Sequence, residues 1–370
     1  MSRAHVTVVG NGVAGFACVR ELAAAGAAVT LIGPGLPCDR PPLSKRSLET
    51  GAPPYLADGA ALASLGVLHL DGWAGEPDMA RRTLAVRLRS GEVTEHGFER
   101  LIWATGLAPS RPPIPGIELA ADITHPLGFE QEARRLAGGG LRIAVLGAGL
   151  IGCETAASLA RRHRVTLIER SARPLGRLHR AVSDAGVTAL ADAGVRFWAG
   201  RSVMELSRSV GGGYVLDVEG EPAAKADLVL TSAGVRSTLP ASLGADGRAE
   251  TDERLRVRGL TDVWVCGDLA AVPHPRYGRI TVPHWDMARA GGAHAARSAL
   301  GDTRPFVREP YWFSDIGRLR VQQVGLAAAA VEWSDRDGLT VGHDESGRPA
   351  CVLLVNTPTR LGEARRLVAA

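Results

Sequence analysis

Two unalternated apolar runs organise most of this chain. Val6 to Val9 is interrupted only by Thr7, and Ile143 to Leu146 is wholly apolar. A run without polar alternation predicts a strand buried on both faces, as in a parallel sheet covered by helices. Each run leads at once into a glycine-rich turn. The first is Gly10-Asn11-Gly12-Val13-Ala14-Gly15, the second Gly147-Ala148-Gly149-Leu150-Ile151-Gly152. After each turn the pattern predicts a helix, over Gly12 to Ala25 and Gly149 to Arg161. A second strand follows, over Ala28 to Ile32 and Arg164 to Ile168. Three more apolar strands stop at small-residue turns: Leu101 to Trp103 at Ala104-Thr105-Gly106, Leu228 to Thr231 at Ser232-Ala233-Gly234, and Val263 to Val265 at Cys266-Gly267-Asp268.

The remaining segments fill in the organisation. Pro37 to Pro54 is polar and proline-containing, and Leu68 to Ile102 mixes short strand signals with turns. Pro109 to Pro115 reads as a linker that can continue neither a helix nor a central strand. An alanine-bearing helix runs from Trp285 to Leu300. The tail alternates strand patterns, including Arg320 to Val324 and Ala350 to Val355, with turns, and closes on a short basic helix, Leu361 to Val368. The order is one nucleotide-type unit, a second of the same design, a return to the first, then a tail. The expected fold class is α/β, with two Rossmann-like dinucleotide-binding domains and a small C-terminal α+β domain. The expected boundaries are 1–115 with 234–305 for the first, 116–233 for the second and 306–370 for the third.

The spacing of the glycines carries the chemistry. The first permits a tight turn, the second lets backbone N–H groups approach a pyrophosphate, and the third lets helix pack on strand. The helix N-terminus then faces the anion with its partial positive charge. A single such turn is weak evidence. Two in matching strand–turn–helix contexts imply two dinucleotides, and two dinucleotides suggest electrons passing from one to the other.

Composition narrows the classes. The balance of 45% hydrophobic and 22% charged residues suits a globular chain, and no apolar run approaches the roughly 18 residues of a membrane span. No basic stretch followed by an apolar signal segment precedes the first strand, so the expected location is the cytoplasm. A formal net charge of +4 is too small to argue for nucleic acid and mildly favours an acidic protein partner. The five cysteines, Cys18, Cys38, Cys153, Cys266 and Cys351, form no CxxC or CxxxxC pair, which argues against a dithiol active site and against an iron–sulfur or other metal site. Cys18, Cys153 and Cys266 read as small buried hydrophobes; Cys38 falls in a loop. Lys45 and Lys225 are the only lysines in an arginine-rich chain, which singles out Lys45.

These residues together resemble the FAD-dependent pyridine-nucleotide reductases of the glutathione-reductase-like fold, specifically the branch that reduces ferredoxins for oxygenases and cytochrome monooxygenases. Beyond the glycine turns, the resemblance rests on Asp39-Arg40-Pro41-Pro42-Leu43-Ser44-Lys45, on Ala104-Thr105-Gly106, on Gly267-Asp268 and on Pro310-Tyr311-Trp312-Phe313-Ser314-Asp315. It implies that FAD is held by Gly10, Gly12, Gly15, Arg40, Pro41, Lys45, Thr105, Gly106, Gly267, Asp268, His284 and Trp285. It implies that the nicotinamide dinucleotide is held by Gly147, Gly149, Gly152, Glu154, Glu169 and Gly234. The helix from Trp285 would aim its N-terminus at the flavin ring. Lys45 and Glu154 are the expected chemical pair, meeting beside the flavin where the nicotinamide stacks; a cation there favours electron-rich reduced flavin. Glu169, ending the second strand of its unit, favours NADH by accepting ribose hydroxyls and repelling a 2′-phosphate. Arg170 and Arg173 close by leave NADPH open. Arg318, Arg320, Arg360, Arg365 and Arg366 read either as part of a docking face for an acidic ferredoxin-type iron–sulfur protein or as scattered surface charge. Monomer and dimer are both open.

The chain departs from this pattern in places. Gly33-Pro34-Gly35-Leu36-Pro37 lacks the acid that the family carries after the second strand. Cys38 stands where an aromatic residue is common. Met287 and Gly291 replace polar amides, Trp312-Phe313 reverses the usual aromatic order, and Ile316 replaces a polar residue. Two rival readings therefore stand beside the ferredoxin reductase. One is an FAD enzyme that passes electrons directly to oxygen, a quinone or a small organic substrate. The other is an FAD-bound, redox-responsive binding protein.

Overall fold

A computed structural model describes residues 4–369, which form two compact units. The first unit comprises the chain up to Asp39, Tyr55–Ala108 and Arg236–Tyr311. The second comprises Arg40–Pro54, Pro109–Val235 and the chain from Trp312 onward.

The first unit is built on five parallel strands, ordered across the sheet as Val263–Val265, Arg100–Trp103, His5–Val9, Ala28–Ile32 and Val67–Leu70. Val6 to Val9 are all buried, as the absence of alternation requires of a central strand covered on both faces. The helix Val13–Ala24 buries Ala14, Gly15, Cys18, Val19 and Leu22, positions that share one face at helical spacing. It packs on the helix Trp285–Ala299 through small residues. A Cβ on Gly292 would collide with the Ala14 carbonyl, and the Cys18 thiol donates to the Gly292 carbonyl at 3.1 Å. The chain builds this sheet outward from His5–Val9 to Val67–Leu70, then returns to add Arg100–Trp103 on the other side. The reversal of strand order at His5–Val9 marks the place where open α/β sheets bind ligands, beyond the carboxyl ends of the strands. A three-stranded antiparallel sheet, Gly72–Asp78, Thr83–Leu88 and Val93–Gly97, is inserted before that return.

The second unit repeats the plan with four parallel strands, ordered Arg196–Ala199, Arg164–Glu169, Arg142–Leu146 and Leu228–Thr231. Strand order reverses between Arg142–Leu146 and Leu228–Thr231. The helix Leu150–Leu159 is buried on nearly every side, which explains its apolar, small-residue composition. Two helices absent from the sequence reading, Pro126–Gly138 and Arg180–Asp192, flank it. Both begin at a histidine: the His125 ring accepts from Leu127 N at 3.3 Å and the His179 ring from Ala181 N at 3.2 Å. Their start signals were hidden because the usual N-caps are Ser, Thr, Asp and Asn. The tail forms a five-stranded sheet in the order Tyr311–Ile316, Leu319–Gly325, Pro349–Val355, Leu339–His343 and Glu332–Arg336, covered by the helix Leu361–Ala369. Ile316, polar in the resembled pattern, is fully buried in this sheet. No described helix is long and apolar enough to cross a membrane.

Candidate functional site

The two glycine turns have the same internal logic. Gly10 takes φ +110°, and a Cβ there would run into the Ala104 carbonyl and Thr105 N; Gly147 takes φ +99°, and its Cβ would meet Ser232 O at 2.6 Å. The third glycines are as constrained, since side chains at Gly15 and Gly152 would strike the carbonyls of Gly10 and Gly147. The middle glycines differ. A Cβ on Gly12 or Gly149 would meet no protein atom within 4 Å. The fold therefore demands the outer two glycines of each turn, and nothing in its own unit demands the middle one. Neither helix start carries a side-chain cap or an acid in its first turn. An open cradle of backbone N–H groups at a bare helix N-terminus fits a pyrophosphate in both units.

Around the first turn the fold gathers residues from distant parts of the sequence. Gly267, at φ +71°, sits at the end of strand Val263–Val265, where its Cβ would lie 3.2 Å from the Ala14 side chain; this places Gly267-Asp268 beside the first helix. Ala104-Thr105-Gly106 is fixed by a chain of hydroxyls. The Trp103 indole donates to Thr105 Oγ1 at 2.9 Å, the Thr105 and Thr238 hydroxyls are 2.7 Å apart, and Thr238 donates to Gly106 O at 2.6 Å. The His284 ring caps the helix Trp285–Ala299 at Asp286 N, 3.4 Å away, and the Trp285 indole donates to Asp39 at 2.8 Å. Burial pushes the Asp39 carboxyl up, against the pull of that indole. Asp286, in the first turn of the same helix, is held by two Arg308 bonds of 2.7 Å, which raise the Arg308 pKa. Gly291 lies beneath Gly267, with its Cβ position 3.7 Å from Gly267 N, and Met287 is buried nearby.

After strand Ala28–Ile32, where the acid is missing, the loop is held by its neighbours. The Asn11 amide donates to Pro34 O at 3.0 Å and Gly35 O at 2.8 Å, while Asp71, just past strand Val67–Leu70, accepts from Gly35 N at 2.7 Å. In the second unit the acid is present and aimed at its own turn. Glu169 accepts from Ala148 N at 2.7 Å and from Ser171 N at 2.9 Å. Arg173 is ion-paired with Asp184. Gly234, at φ +104°, accepts from Ser110 N at 2.9 Å. Arg40, Pro41 and Lys45 belong to this second unit, with Pro41 opening a short 3₁₀ turn that ends at Ser44.

That turn brings Lys45 to Glu154, with Nζ 3.0 Å from Oε1. Glu154 is 6% exposed, so its charge is largely withdrawn from water and needs partners. It has two more. Ser44 Oγ donates to Oε2 at 2.6 Å and Ser314 Oγ to Oε1 at 2.5 Å. The Lys45 ammonium also lies 5.6 Å from the Phe313 ring centroid and 4.0 Å from Asp315. Ser44 and Ser314 stand inside the two family-like motifs, but nothing in those motifs points to Glu154. No spacing rule reveals that residues 44, 154 and 314 converge. The thiol next to this pair is inert: burial, then the Glu154 and Glu169 charges, push Cys153 up to about 12. All five cysteines are buried, Cys38 included.

The pyridine nucleotide-disulphide oxidoreductase family model matches residues 4–292, and the chain belongs to that family. The chain is thus an oxidoreductase working with FAD and a pyridine nucleotide. The anthranilate 1,2-dioxygenase system ferredoxin–NAD(+) reductase component of Burkholderia cepacia is 30% identical, over 100% of this chain and 95% of that protein. Rhodocoxin reductase of Rhodococcus erythropolis is 27% identical, over 88% of this chain and 79% of that protein. Among solved structures, the reductase of the covalent putidaredoxin reductase–putidaredoxin complex superposes with a TM-score of 0.87 at 23% identity, covering 100% and 93% of the two chains. Fdr9 does so with 0.84 at 27%, covering 99% and 95%.

Proposed function

We propose that this protein takes electrons from NADH onto FAD and delivers them to a ferredoxin-type iron–sulfur protein that serves an oxygenase or cytochrome monooxygenase. The observation that carries the reading is the pair of middle glycines, Gly12 and Gly149, each opening onto space that no protein atom of its unit fills. Gly10, Gly12 and Gly15, with Thr105, Gly106, Gly267, Asp268, His284 and Trp285, are the proposed FAD residues of the first unit, and Arg40, Pro41 and Lys45 those of the second. Gly147, Gly149, Gly152, Glu154, Glu169 and Gly234 are the proposed NADH residues. Glu169 offers a carboxylate to a ribose diol, and the pairing of Arg173 with Asp184 leaves that arginine less able to attract a 2′-phosphate.

FAD, when bound, accepts a hydride and releases electrons singly, which suits a two-electron donor and a one-electron acceptor. The chain's own contribution is to hold and orient. Lys45 supplies a cation that favours charge accumulating on the reduced cofactor. Glu154 offsets the cost of burying that cation. No side chain is required as a nucleophile, because orientation provides most of the acceleration. The names of the relatives support an iron–sulfur acceptor. Arg318, Arg320, Arg365 and Arg366 are exposed on the tail and offer an acidic partner a basic face; Arg320 is shared with Asp315 at 3.7 Å, and Arg360 is held by Glu363 at 2.7 Å. NADH as donor and buried thiols both suit the cytoplasm.

The test is an NADH assay with cytochrome c as final acceptor, run with and without an added ferredoxin. Reduction that depends on the ferredoxin supports the proposal. Rapid NADH loss that depends on oxygen or a quinone alone overturns the acceptor. Failure of NADH to bleach the flavin under nitrogen overturns the reading altogether.

A further inference from the structure

We propose that Ser314 and Ser44 are positioning residues: their hydroxyls clamp the two oxygens of Glu154 and so decide where the Lys45 ammonium stands. The role of the Lys45–Glu154 pair in flavin reduction rests on the function proposed above; the clamp itself does not.

Glu154 sits on a helix buried on nearly all sides, and its carboxyl group has one hydroxyl on each oxygen. Hydrogen bonds of 2.6 and 2.5 Å lie in the range of hydroxyls donating to an ionised carboxylate. Ser44 has a second acceptor in reach, Pro41 O at 3.2 Å, but a hydroxyl donates one proton, and the shorter contact is to Glu154. With both oxygens taken, the carboxylate plane is fixed. Oε1 then presents itself to Lys45 at 3.0 Å.

Without the clamp Lys45 has an alternative. Asp315 Oδ2 is 4.0 Å from the same ammonium, with a side chain 40% exposed against 8% for Glu154. A more exposed carboxylate keeps more of its hydration and costs less to leave unpaired, so the buried partner wins only while its geometry is held. Asp315 is also approached by Arg320 at 3.7 Å, which occupies part of its charge. The two serines reach Glu154 from opposite ends of the sequence. One stands in the 3₁₀ turn before Lys45, and the other in the strand Tyr311–Ile316 of the tail sheet. Replacing Ser44 takes away the hydroxyl that Oε2 accepts from, which is costlier than the loss of an average hydrogen bond, while replacing Ser314 leaves Oε1 to Lys45 alone.

The chain's two lysines make the test specific. Lysine labelled with ¹³C and ¹⁵N gives signals from Lys45 and Lys225 alone, and the exposed Lys225 serves as internal reference. In the flavin-loaded parent, the ε-methylene signal of Lys45 is expected to show restricted motion. In Ser314→Ala and Ser44→Ala it moves toward the Lys225 signal, and Ser314→Thr keeps it in place. Under nitrogen, each alanine variant is expected to reduce its flavin with NADH about tenfold more slowly, with the NADH Kd changed by less than about twofold. A Lys45 signal unchanged in both alanine variants overturns the proposal; a displaced signal with an unchanged reduction rate upholds the clamp and overturns the part given to the Lys45–Glu154 pair in flavin reduction. If Ser314→Ala fails to fold, Ser44→Ala decides from the other oxygen. A parent that NADH cannot reduce defeats the functional reading, while the lysine signals still settle the clamp.

Discussion

The two units solve the same local problem with opposite chemistry. Both run strand, glycine turn, helix, strand, and both leave the middle glycine facing open space. They diverge where the second strand ends. The second unit places Glu169 there, a carboxylate held by two backbone N–H groups that a ribose diol can join or displace. The first unit has no acid at that point. It ties the loop Gly33 to Gly35 from outside, through two bonds from Asn11 and one to Asp71. One unit thus keeps a carboxylate acceptor beside its own turn. The other fixes the backbone with amide and carboxylate groups from neighbouring elements. Such a division suits one cofactor that stays and one that comes and goes.

The sharpest way to break the comparison is through the glycines. Gly15→Val and Gly152→Val drive a side chain into a backbone carbonyl, so each is expected to lose about 3 kcal/mol of stability in urea unfolding. Gly12→Val and Gly149→Val meet no atom of their own unit and should keep the stability of the cofactor-free protein within about 1 kcal/mol. Their effect should appear in binding, as about a hundredfold loss for FAD in the first and for NADH in the second. Normal FAD binding by Gly12→Val would show that the first turn is not the FAD cradle.

Acid probes the second unit next. His125, the N-cap of Pro126–Gly138, is driven down to about 4 by burial and by the Arg40 charge. A histidine kept neutral in the folded state binds fewer protons than the unfolded chain below about pH 6.5. Its contribution is therefore present above pH 6.5 and lost as pH falls toward 4, by up to about 3 kcal/mol. His125→Asn keeps a capping side chain and should flatten that part of the stability–pH curve; an unchanged slope would assign the acid sensitivity to other groups. Lys45→Ala comes next in size. Flavin reduction by NADH should slow about a hundredfold, with flavin content retained, and a parent-like rate in stopped flow would discard the residue.

The ribose ends give smaller and more discriminating effects. Glu169→Ala should reduce the preference for NADH over NADPH about tenfold, measured as the ratio of kcat/KM values. Asn11→Ala should loosen the Gly33–Gly35 loop and weaken FAD about fivefold while leaving NADH affinity unchanged. If Asn11→Ala altered NADH affinity instead, the two units could not be treated as separate cradles.

The sequence revealed much of this architecture because glycine turns and unalternated strands answer to local rules. Gly10 and Gly147 need positive φ, and Val6 to Val9 need cover on both faces, whatever the rest of the chain does. The helices starting at Pro126 and Arg180 stayed hidden because a histidine ring supplies each cap. The pairing of Lys45 with Glu154 was expected from the family resemblance and not from any local pattern. Ser44, Ser314, Asn11 and Asp71 carry no signal of these contacts in one sequence. Each becomes meaningful only when folding brings its partner, from 23 to 160 positions away, within hydrogen-bonding distance.

Ser314 ties the terminal sheet to the carboxylate it shares with Lys45. The tail is accordingly no interchangeable cassette. A chimera that grafts another reductase's C-terminal module onto this chain, to redirect it toward a different acceptor, will disturb hydride arrival as well as docking unless the graft brings a hydroxyl to that position.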